Sequence, residues 1–314
     1  MILKYNQTKS NNFAHTYSII ARDPKTGEMG VGVQSHWFSV GSLVSWGEAG
    51  IGVVATQSLV NKSFGLRGLD LLKQGNTPQE AIDILLSDDD GRDVRQVAIL
   101  DAQGRVATYT GAKCIKQAGH IVGENFSVQA NLMLSDKVWP SMAEAYEKND
   151  NMALPERLLK SLEAAESVGG DIRGKQSAAL LIVAGAPTEE KWEDPIIDLR
   201  VEDHSEPLNE LSRLLKVYRA YEHMNNGDLA IEKNDIDKAL EEYDTAQKMF
   251  PENLEMTYWV AVSLANQRKV NEAMVLFDKV FKKDKNWRIL TERLPHSELL
   301  NVSEENLKKI LSLK

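Results

Sequence analysis

The order of strand-forming and helix-forming segments in the first 220 residues is the strongest constraint on the fold. The segments HTYSIIARD and MGVGVQS flank Asp23-Pro24 and Gly27, which favour a turn, so together they predict a β-hairpin. GIGVVATQS predicts a further strand, and SFGLRGLDLLKQGNTPQEAIDILLSDD predicts two helices after it. Strands and helices thus come in pairs instead of alternating one by one.

The pairing continues along the chain. RQVAILDAQGRVATYTG predicts two strands about a Gln-Gly turn, and positions 138–167 predict further helices. QSAALLIVAG and IIDLRVEDH predict strands again, and LNELSRLLKVYRAYEHM predicts a helix after Pro207. A doubly wound parallel sheet would need regular strand–helix alternation, so the order predicts a layered α+β domain with antiparallel sheets.

After about residue 222 the pattern indicates helices alone, with a 34-residue repeat. The repeat carries small or aromatic residues at matching positions: Ala239, Tyr243 and Ala246, then Ala273, Phe277 and Val280. Gly227 and Pro251 lie at equal distances before and after Ala239. Over residues 222–290 the sequence resembles two tetratricopeptide units. We therefore expect residues 222–314 to form an all-α tetratricopeptide-like domain that binds a protein partner or stabilises the fold.

Charge and composition exclude several classes of protein. The net charge of −9, from 37 basic and 46 acidic residues, does not suit a nucleic-acid-binding protein. Cys114 is the single cysteine, so no internal disulfide is expected. No apolar run has the length of a signal-peptide core or a membrane span. The sequence predicts a cytoplasmic protein without membrane or nucleic-acid partners.

Polar residues cluster where predicted strands begin or end, next to segments that should be buried. Five clusters have this character: Thr56 and Gln57; Arg95 and Gln96; Gln129 and Asn131; Asp171, Arg173, Gln176 and Ser177; Arg200, Asp203 and His204. A buried polar group without a partner costs about 1–3 kcal/mol. The clusters therefore indicate one connected network or shared pocket, or else five separate ties between loops and strand ends.

Other catalytic patterns find less support. The sequence has neither a Gly-x-Ser-x-Gly nor a His-Glu-x-x-His motif, and its six histidines are scattered without ligand spacing. We therefore predict neither a metal nor a cofactor. Serine–histidine catalysis through Ser35 or Ser177 with His36 or His204 stays open, because such partners meet in space and not in sequence.

Many short motifs resemble the DUF1028 family, an uncharacterised bacterial group assigned to the N-terminal-nucleophile (Ntn) hydrolase superfamily. They are Thr16-Tyr17-Ser18-Ile19, ATQ at 55–57, GLDLL at 68–72, RQ at 95–96, QSAALL at 176–181 and DLRVEDH at 198–204. The resemblance covers about residues 16–220 and implies a four-layer α-β-β-α sandwich. It divides the chain into a polar tail (1–15), an Ntn-hydrolase-like domain (16–221) and the helical domain (222–314). It also leads us to expect a homodimer.

The resemblance implies that Thr16 is a nucleophile that attacks an amide carbonyl while its freed α-amine acts as base. By chemical type and position, Gln57, Asn131 or Gln176 would donate to the oxyanion, and Asp171 with Arg173 would orient the amine or bind a charged substrate. The remaining candidates are expected to bind substrate: Ser35, Thr56, Arg95, Ser177, Arg200, Asp203 and His204.

Two departures from the family pattern bear on this assignment. Fifteen residues precede Thr16, so its amine is free only if the His15–Thr16 bond is cut. Ala130 stands where a glycine is expected, which would narrow the pocket if that position needs a positive φ. Two main functions follow: an amidohydrolase that cleaves a small amide or peptide-like substrate, or a non-catalytic binding module whose helical repeats hold a partner. A serine- or metal-dependent hydrolase is a third.

Overall fold

The structure is a computed structural model that describes residues 12–233 and 235–313, and for residues 12–14 it describes the backbone alone. The described chain forms two compact units, one ending at Leu215 and the other beginning at Lys216. The first unit contains eleven described strands: β1 (Asn12–Ala14), β2 (Thr16–Arg22), β3 (Met29–Ser35), β4 (Ser45–Glu48), β5 (Gly52–Val60), β6 (Arg95–Asp101), β7 (Val106–Thr110), β8 (Gly119–Gly123), β9 (Phe126–Ala130), β10 (Ser177–Val183) and β11 (Ile197–Val201).

Helices follow the strands in pairs and then fill the second unit. Those of the first unit are α1 (Gly41–Val44), α2 (Ser63–Lys73), α3 (Pro78–Ser87), α4 (Val138–Lys148) and α5 (Leu154–Ser167). The later helices are α6 (Pro207–Glu232), α7 (Ile236–Met249), α8 (Leu254–Asn266), α9 (Val270–Lys283), α10 (Asn286–Arg293) and α11 (Glu304–Leu311). Short 3₁₀ turns lie at Arg92–Val94, Lys191–Glu193 and Leu294–Ser297.

The strands form two sheets in which all the described neighbours are antiparallel. The first sheet has the order β1-β5-β6-β7, with β4 also paired to β5. The second has the order β11-β10-β3-β2-β9-β8. The predicted hairpin is present, with Thr16 opposite Ser35 and Arg22 opposite Met29. The prediction of an α+β chain with antiparallel sheets, followed by a helical region, is confirmed.

Side-chain alternation along the strands decides what each face of a sheet contacts. Val53 and Ala55 of β5 share a buried cluster with Ile20 and Val31 of the other sheet, so the two sheets face each other there. Val54, from the opposite face of β5, packs against α2 and α3, together with the other residues of that cluster. The other outer face is covered by α5, whose Leu162 lies against the backbone of β3.

The predicted repeat positions of the helical unit are all buried. Ala239, Tyr243 and Ala246 of α7 and Ala273, Phe277 and Val280 of α9 belong to one core. The glycine at position 227 of α6 allows the ring of Tyr243 on α7 to lie close to the α6 backbone. A Cβ built at Gly227 would lie 2.3 Å from that ring. Tyr243 also donates a hydrogen bond from its hydroxyl to Asp228, at 2.6 Å.

Replacing Gly227 with alanine tests this close approach. Alanine in a helix interior normally gains up to about 1 kcal/mol over glycine. Here we expect a net loss of about 1–3 kcal/mol, because the added methyl group must displace the Tyr243 ring. Urea unfolding followed by far-ultraviolet circular dichroism measures the change. Asn226→Ala, at the exposed neighbouring position, is the control and should shift stability by less than about 0.5 kcal/mol.

Candidate functional site

The chain crosses from one sheet to the other at His15. Residues 12–14 join the first sheet as β1, with Asn12 opposite Val60 and Ala14 opposite Ser58. Thr16 then opens β2 in the middle of the second sheet, between β3 and β9. The His15–Thr16 peptide bond therefore lies at the crossing, and His15 and Thr16 are both buried.

The carbonyl oxygen of His15 accepts two side-chain hydrogen bonds. The Ser35 hydroxyl donates at 2.6 Å and the Arg173 guanidinium donates at 2.7 Å. Arg173 is itself fixed by Asp171, whose carboxylate accepts from the guanidinium at 2.7 and 3.0 Å. A hydroxyl and a cation aimed at one carbonyl oxygen polarise that carbonyl, since both interactions strengthen as negative charge develops on the oxygen.

The Thr16 hydroxyl is the unusual group at this crossing. The side chain is fully buried, and its Oγ1 has no hydrogen-bond partner among the described residues. The backbone carbonyl of Thr16 has partners by contrast. It accepts from the backbone N–H of Asn131 at 3.1 Å and from the side-chain Nε2 of Gln57 at 3.3 Å. Most buried hydroxyls are paired, and an orphan costs about 1–3 kcal/mol.

Amide side chains connect the site to a polar network between the two sheets. Gln57 accepts from Ser18 at 2.7 Å and donates to Gln96 at 2.6 Å. Asn131 also donates to Gln96, at 2.9 Å, and Gln129 donates to Ser18 at 2.6 Å. All five side chains are fully buried. Their mutual hydrogen bonds offset the cost of removing them from water.

Asn131 also holds the imidazole of His15. Its Oδ1 lies 2.9 Å from Nδ1 of the ring. Burial lowers the pKa of His15 below its ordinary value; the hydrogen bond to Asn131 opposes this shift and the charge of Arg173 adds to it. The imidazole is therefore neutral at neutral pH.

Six of the residues chosen from the sequence meet here. Thr16, Ser35, Gln57, Asn131, Asp171 and Arg173 all contact the His15–Thr16 segment or each other. The network interpretation of the polar clusters therefore describes this part of the chain better than five separate ties. The role of each residue in catalysis stays a prediction.

The other candidates lie elsewhere. Ser177 donates to the Trp37 carbonyl and accepts from the Val40 N–H at 3.1 Å, so it fastens the segment after β3. Thr56 donates to the Asn61 carbonyl at 3.3 Å. Arg95 forms a buried ion pair with Asp89 at 2.7 Å and donates to the Leu59 carbonyl at 2.5 Å, so it fixes the end of β5.

The polar cluster at the end of β11 and just after it faces solvent. Arg200 pairs with Asp198, its neighbour two residues earlier, at 2.7 Å. Gln176 donates from its side chain to Asp203 at 3.1 Å, and the His204 ring accepts from the Glu206 N–H at 2.9 Å. The contacts of Asp203 and His204 fasten the loop between β11 and α6, whereas the Arg200–Asp198 pair lies within β11.

Sequence reasoning missed His15 and Ser18, and it placed Gln96 and Gln129 in the polar clusters without giving them a role in the site. A signal was present, because Ser18, Gln96 and Gln129 occupy positions whose alternation points them between the sheets. The glycine expected at position 130 is not required, since Ala130 lies in β9 and the positive φ of 61° belongs to Leu132.

The described residues contain no cluster of three or more histidine, cysteine, aspartate or glutamate side chains that would suit a metal ion. No helix in the described part of the chain combines the length and the apolar character that crossing a membrane requires.

Comparisons with known proteins agree on one group. Residues 16–211 match the model of DUF1028, described as a family of unknown function. A crystal structure of protein SPO2555 from Silicibacter pomeroyi, assigned to the same family, is similar, with 30% sequence identity and a TM-score of 0.58. The match covers 64% of this chain and 84% of that one. No curated protein matches the chain.

Gln96 tests the energetic role of the network. Gln96→Leu keeps the approximate volume but removes the nearest acceptor of the Gln57 and Asn131 amide groups, which keep only longer contacts with backbone carbonyls. It also removes the amide that donates to Thr110. We expect a loss of about 2–4 kcal/mol in the free energy of unfolding, measured in urea. Gln79→Leu, on the exposed surface of α3, is the matched control and should change stability by less than about 0.5 kcal/mol. An equal effect of both substitutions would contradict a cooperative network.

Proposed function

The chain belongs to the DUF1028 family, and we propose that it is the precursor of an Ntn-type amidohydrolase with Thr16 as its nucleophile. One observation carries the proposal: the buried Thr16 hydroxyl, which has no partner within residues 12–233 and 235–313, lies next to a carbonyl that two donors hold. The layers of the first unit add support, because α2 with α3, the two sheets, and α4 with α5 correspond to the order of an α-β-β-α sandwich.

The first step would be cleavage of the chain by its own threonine. Thr16 Oγ1 attacks the carbonyl carbon of His15, while Ser35 and Arg173 stabilise the charge on the carbonyl oxygen. The bond from that carbon to the nitrogen of Thr16 breaks, and the hydroxyl proton ends on this nitrogen. The resulting ester between His15 and Thr16 Oγ1 is hydrolysed by water. The products are a carboxylate at His15 and a free amine on Thr16.

The freed amine would then supply the base for substrate turnover. An α-amine has an ordinary pKa near 8, so a part of the population is unprotonated at neutral pH and accepts the proton of the threonine hydroxyl. The substrate carbonyl would take the place that the His15 carbonyl leaves, between Ser35 and Arg173. The same two donors would stabilise its oxyanion, while Asp171 keeps Arg173 in position.

Thr16→Val is the sharpest test, because valine has the shape of threonine without the hydroxyl. No hydrogen bond of Oγ1 is lost, so the variant should fold with unchanged or higher stability. We expect the wild-type chain, purified without an N-terminal tag, to yield a species that begins at Thr16. Thr16→Val should stay intact. Intact mass and N-terminal sequencing measure both chains.

Two further variants separate the chemistry from folding. Thr16→Ser keeps a hydroxyl and should still be cut, whereas Ser35→Ala removes one donor and should slow cleavage roughly 100-fold. If the wild-type chain remains intact for days under conditions that preserve its fold, or if Thr16→Val is cut equally fast, the proposal fails.

A cavity in the helical unit favours a second function, the binding of a basic peptide by the tetratricopeptide-like segment. The cavity has a volume of about 600 Å³ and contains Asp228 and Glu255 beside Tyr221, Trp259 and Met256. Its described lining contains two carboxylates and neither lysine nor arginine. Apolar walls with acidic groups would suit a segment in which a lysine or arginine accompanies apolar residues.

Charge-neutral variants test this second function. Binding of fluorescent Lys- and Leu-containing heptapeptides to the full chain, measured by polarisation, should weaken at least tenfold in Asp228→Asn/Glu255→Gln. Glu252→Gln, exposed and outside the cavity lining, is the control and should have little effect. Equal weakening by the control would indicate general charge attraction and not recognition in the cavity.

A further inference from the structure

We infer that the edge of β5 at Ser58–Val60, which residues 12–14 cover in this chain, binds the acyl side of an extended peptide substrate. The inference rests on the proposed function and narrows its substrate from any small amide to a peptide. It follows from the position of the segment that precedes Thr16, since that segment places a carbonyl between Ser35 and Arg173 and runs from there along β5.

Among the described strands, only β1 pairs with the last two residues of β5. On one side of β5, pairing with β6 ends at Ser58 opposite Arg95. On the other side, β4 pairs with residues from Gly52 to Ala55. In the described chain, Leu59 and Val60 therefore have β1 as their only strand partner. Once residues 1–15 are released, this edge has backbone groups that an incoming strand can satisfy.

The edge keeps its shape through contacts that do not involve β1. Arg95 donates to the Leu59 carbonyl at 2.5 Å, and the buried Asp89 fixes Arg95 through an ion pair at 2.7 Å. Ser58 has a φ of 72°, which sets the direction of the last residues of β5. The binding edge is therefore held before a substrate arrives, and this reduces the entropy cost of binding.

The segment also shows where each substrate residue would lie. His15 stands at the residue whose carbonyl is attacked, and its ring meets Asn131 Oδ1 at 2.9 Å. The three residues before it run antiparallel to β5. A substrate would thus place a hydrogen-bonding side chain beside Asn131 and about three preceding residues along the edge of β5.

Burial explains why an external substrate must replace this segment. Thr16, Ser35, Gln57 and Asn131 are all completely buried while residues 12–15 are in place. A substrate that contacted only the reacting carbonyl would leave the edge of β5 unpaired. An extended peptide both reaches the threonine and restores the pairing that the release removes.

Peptide length tests the inference on the processed protein, that is, the full chain after release of residues 1–15. The probes are acetyl-Asn-Phe-Ala-His and acetyl-His, each carrying a fluorogenic amide leaving group. We expect kcat/KM to be at least about tenfold higher for the tetrapeptide, because strand pairing adds two or more hydrogen bonds. A third probe, the tetrapeptide with methylated Phe and Ala nitrogens, keeps the side chains, loses the pairing and should fall to the level of acetyl-His.

The outcomes separate this inference from the proposed function. If the processed protein cleaves all three probes equally, and intact Thr16→Val cleaves none, the threonine hydrolase stands and the peptide edge is wrong. If the processed protein cleaves none of these probes and no other amide, the hydrolase itself is wrong. If the wild-type chain never releases residues 1–15, both are overturned.

Discussion

The first unit depends on the pairing of amide side chains that lie between two sheets. Apolar residues fill most of that interface, but Gln57, Gln96 and Gln129 enter it from three different strands. Each carries both donors and acceptors, so each needs a partner whose position is fixed. The strands must therefore hold one register and the sheets one relative position. A shift by one residue would turn these amides to the opposite face and leave their partners unpaired.

This constraint links the fold to the candidate site. Gln57 Nε2 reaches both Gln96 Oε1 and the Thr16 carbonyl, and Asn131 reaches Gln96, His15 and the Thr16 carbonyl. The same hydrogen bonds that set the register of the sheets thus fix the Thr16 carbonyl and the imidazole of His15, on either side of the His15–Thr16 bond. The neighbouring His15 carbonyl is held in turn by Ser35 and Arg173, so these donors would already be in place when charge develops on its oxygen, which is the condition for preorganised stabilisation.

Local patterns in the sequence were sufficient for most elements of the first unit, but not for the short strands β1, β4 and β8, the first of which lies in the segment taken as a polar tail. Apolar alternation and turn residues identified the hairpin of β2 and β3, and helical spacing identified the paired helices, because these depend on neighbours in the chain. Resemblance to a family added Thr16, whereas chemical type and position in the sequence added Asn131, Asp171 and Arg173. Local patterns do not predict which polar residues contact each other in the folded chain. Arg173, for example, donates to the carbonyl of His15, which lies 158 positions earlier.

The polar residues at strand ends belong to two groups that residue type does not separate. One group points between the sheets and the other fastens a loop. Gln57 points inward and Thr56 points toward the helices, although they are adjacent, because successive side chains in a strand face opposite ways. In the same way, Gln96 points between the sheets, whereas the adjacent Arg95 points away and contacts Asp89 and the Leu59 carbonyl. The alternation of side chains, counted from the apolar core residues of each strand, distinguishes the inward-pointing residues from those that fasten loops.

The unpaired hydroxyl of Thr16 bears on the choice between a hydrolase and a non-catalytic binding module, because the two functions place different requirements on it. A scaffold that only binds partners has no use for this hydroxyl, and valine would fill the same space without the cost of about 1–3 kcal/mol. A hydrolase needs the oxygen with its lone pairs uncommitted, beside a carbonyl that other groups already hold. Ser35 and Arg173 contact the carbonyl and leave the hydroxyl alone, although Ser35 lies directly opposite Thr16 in the sheet. Nucleophilic attack needs this arrangement, in which the donors hold the carbonyl and the hydroxyl stays uncommitted. A purely structural role does not explain why the hydroxyl lacks a partner among the described residues.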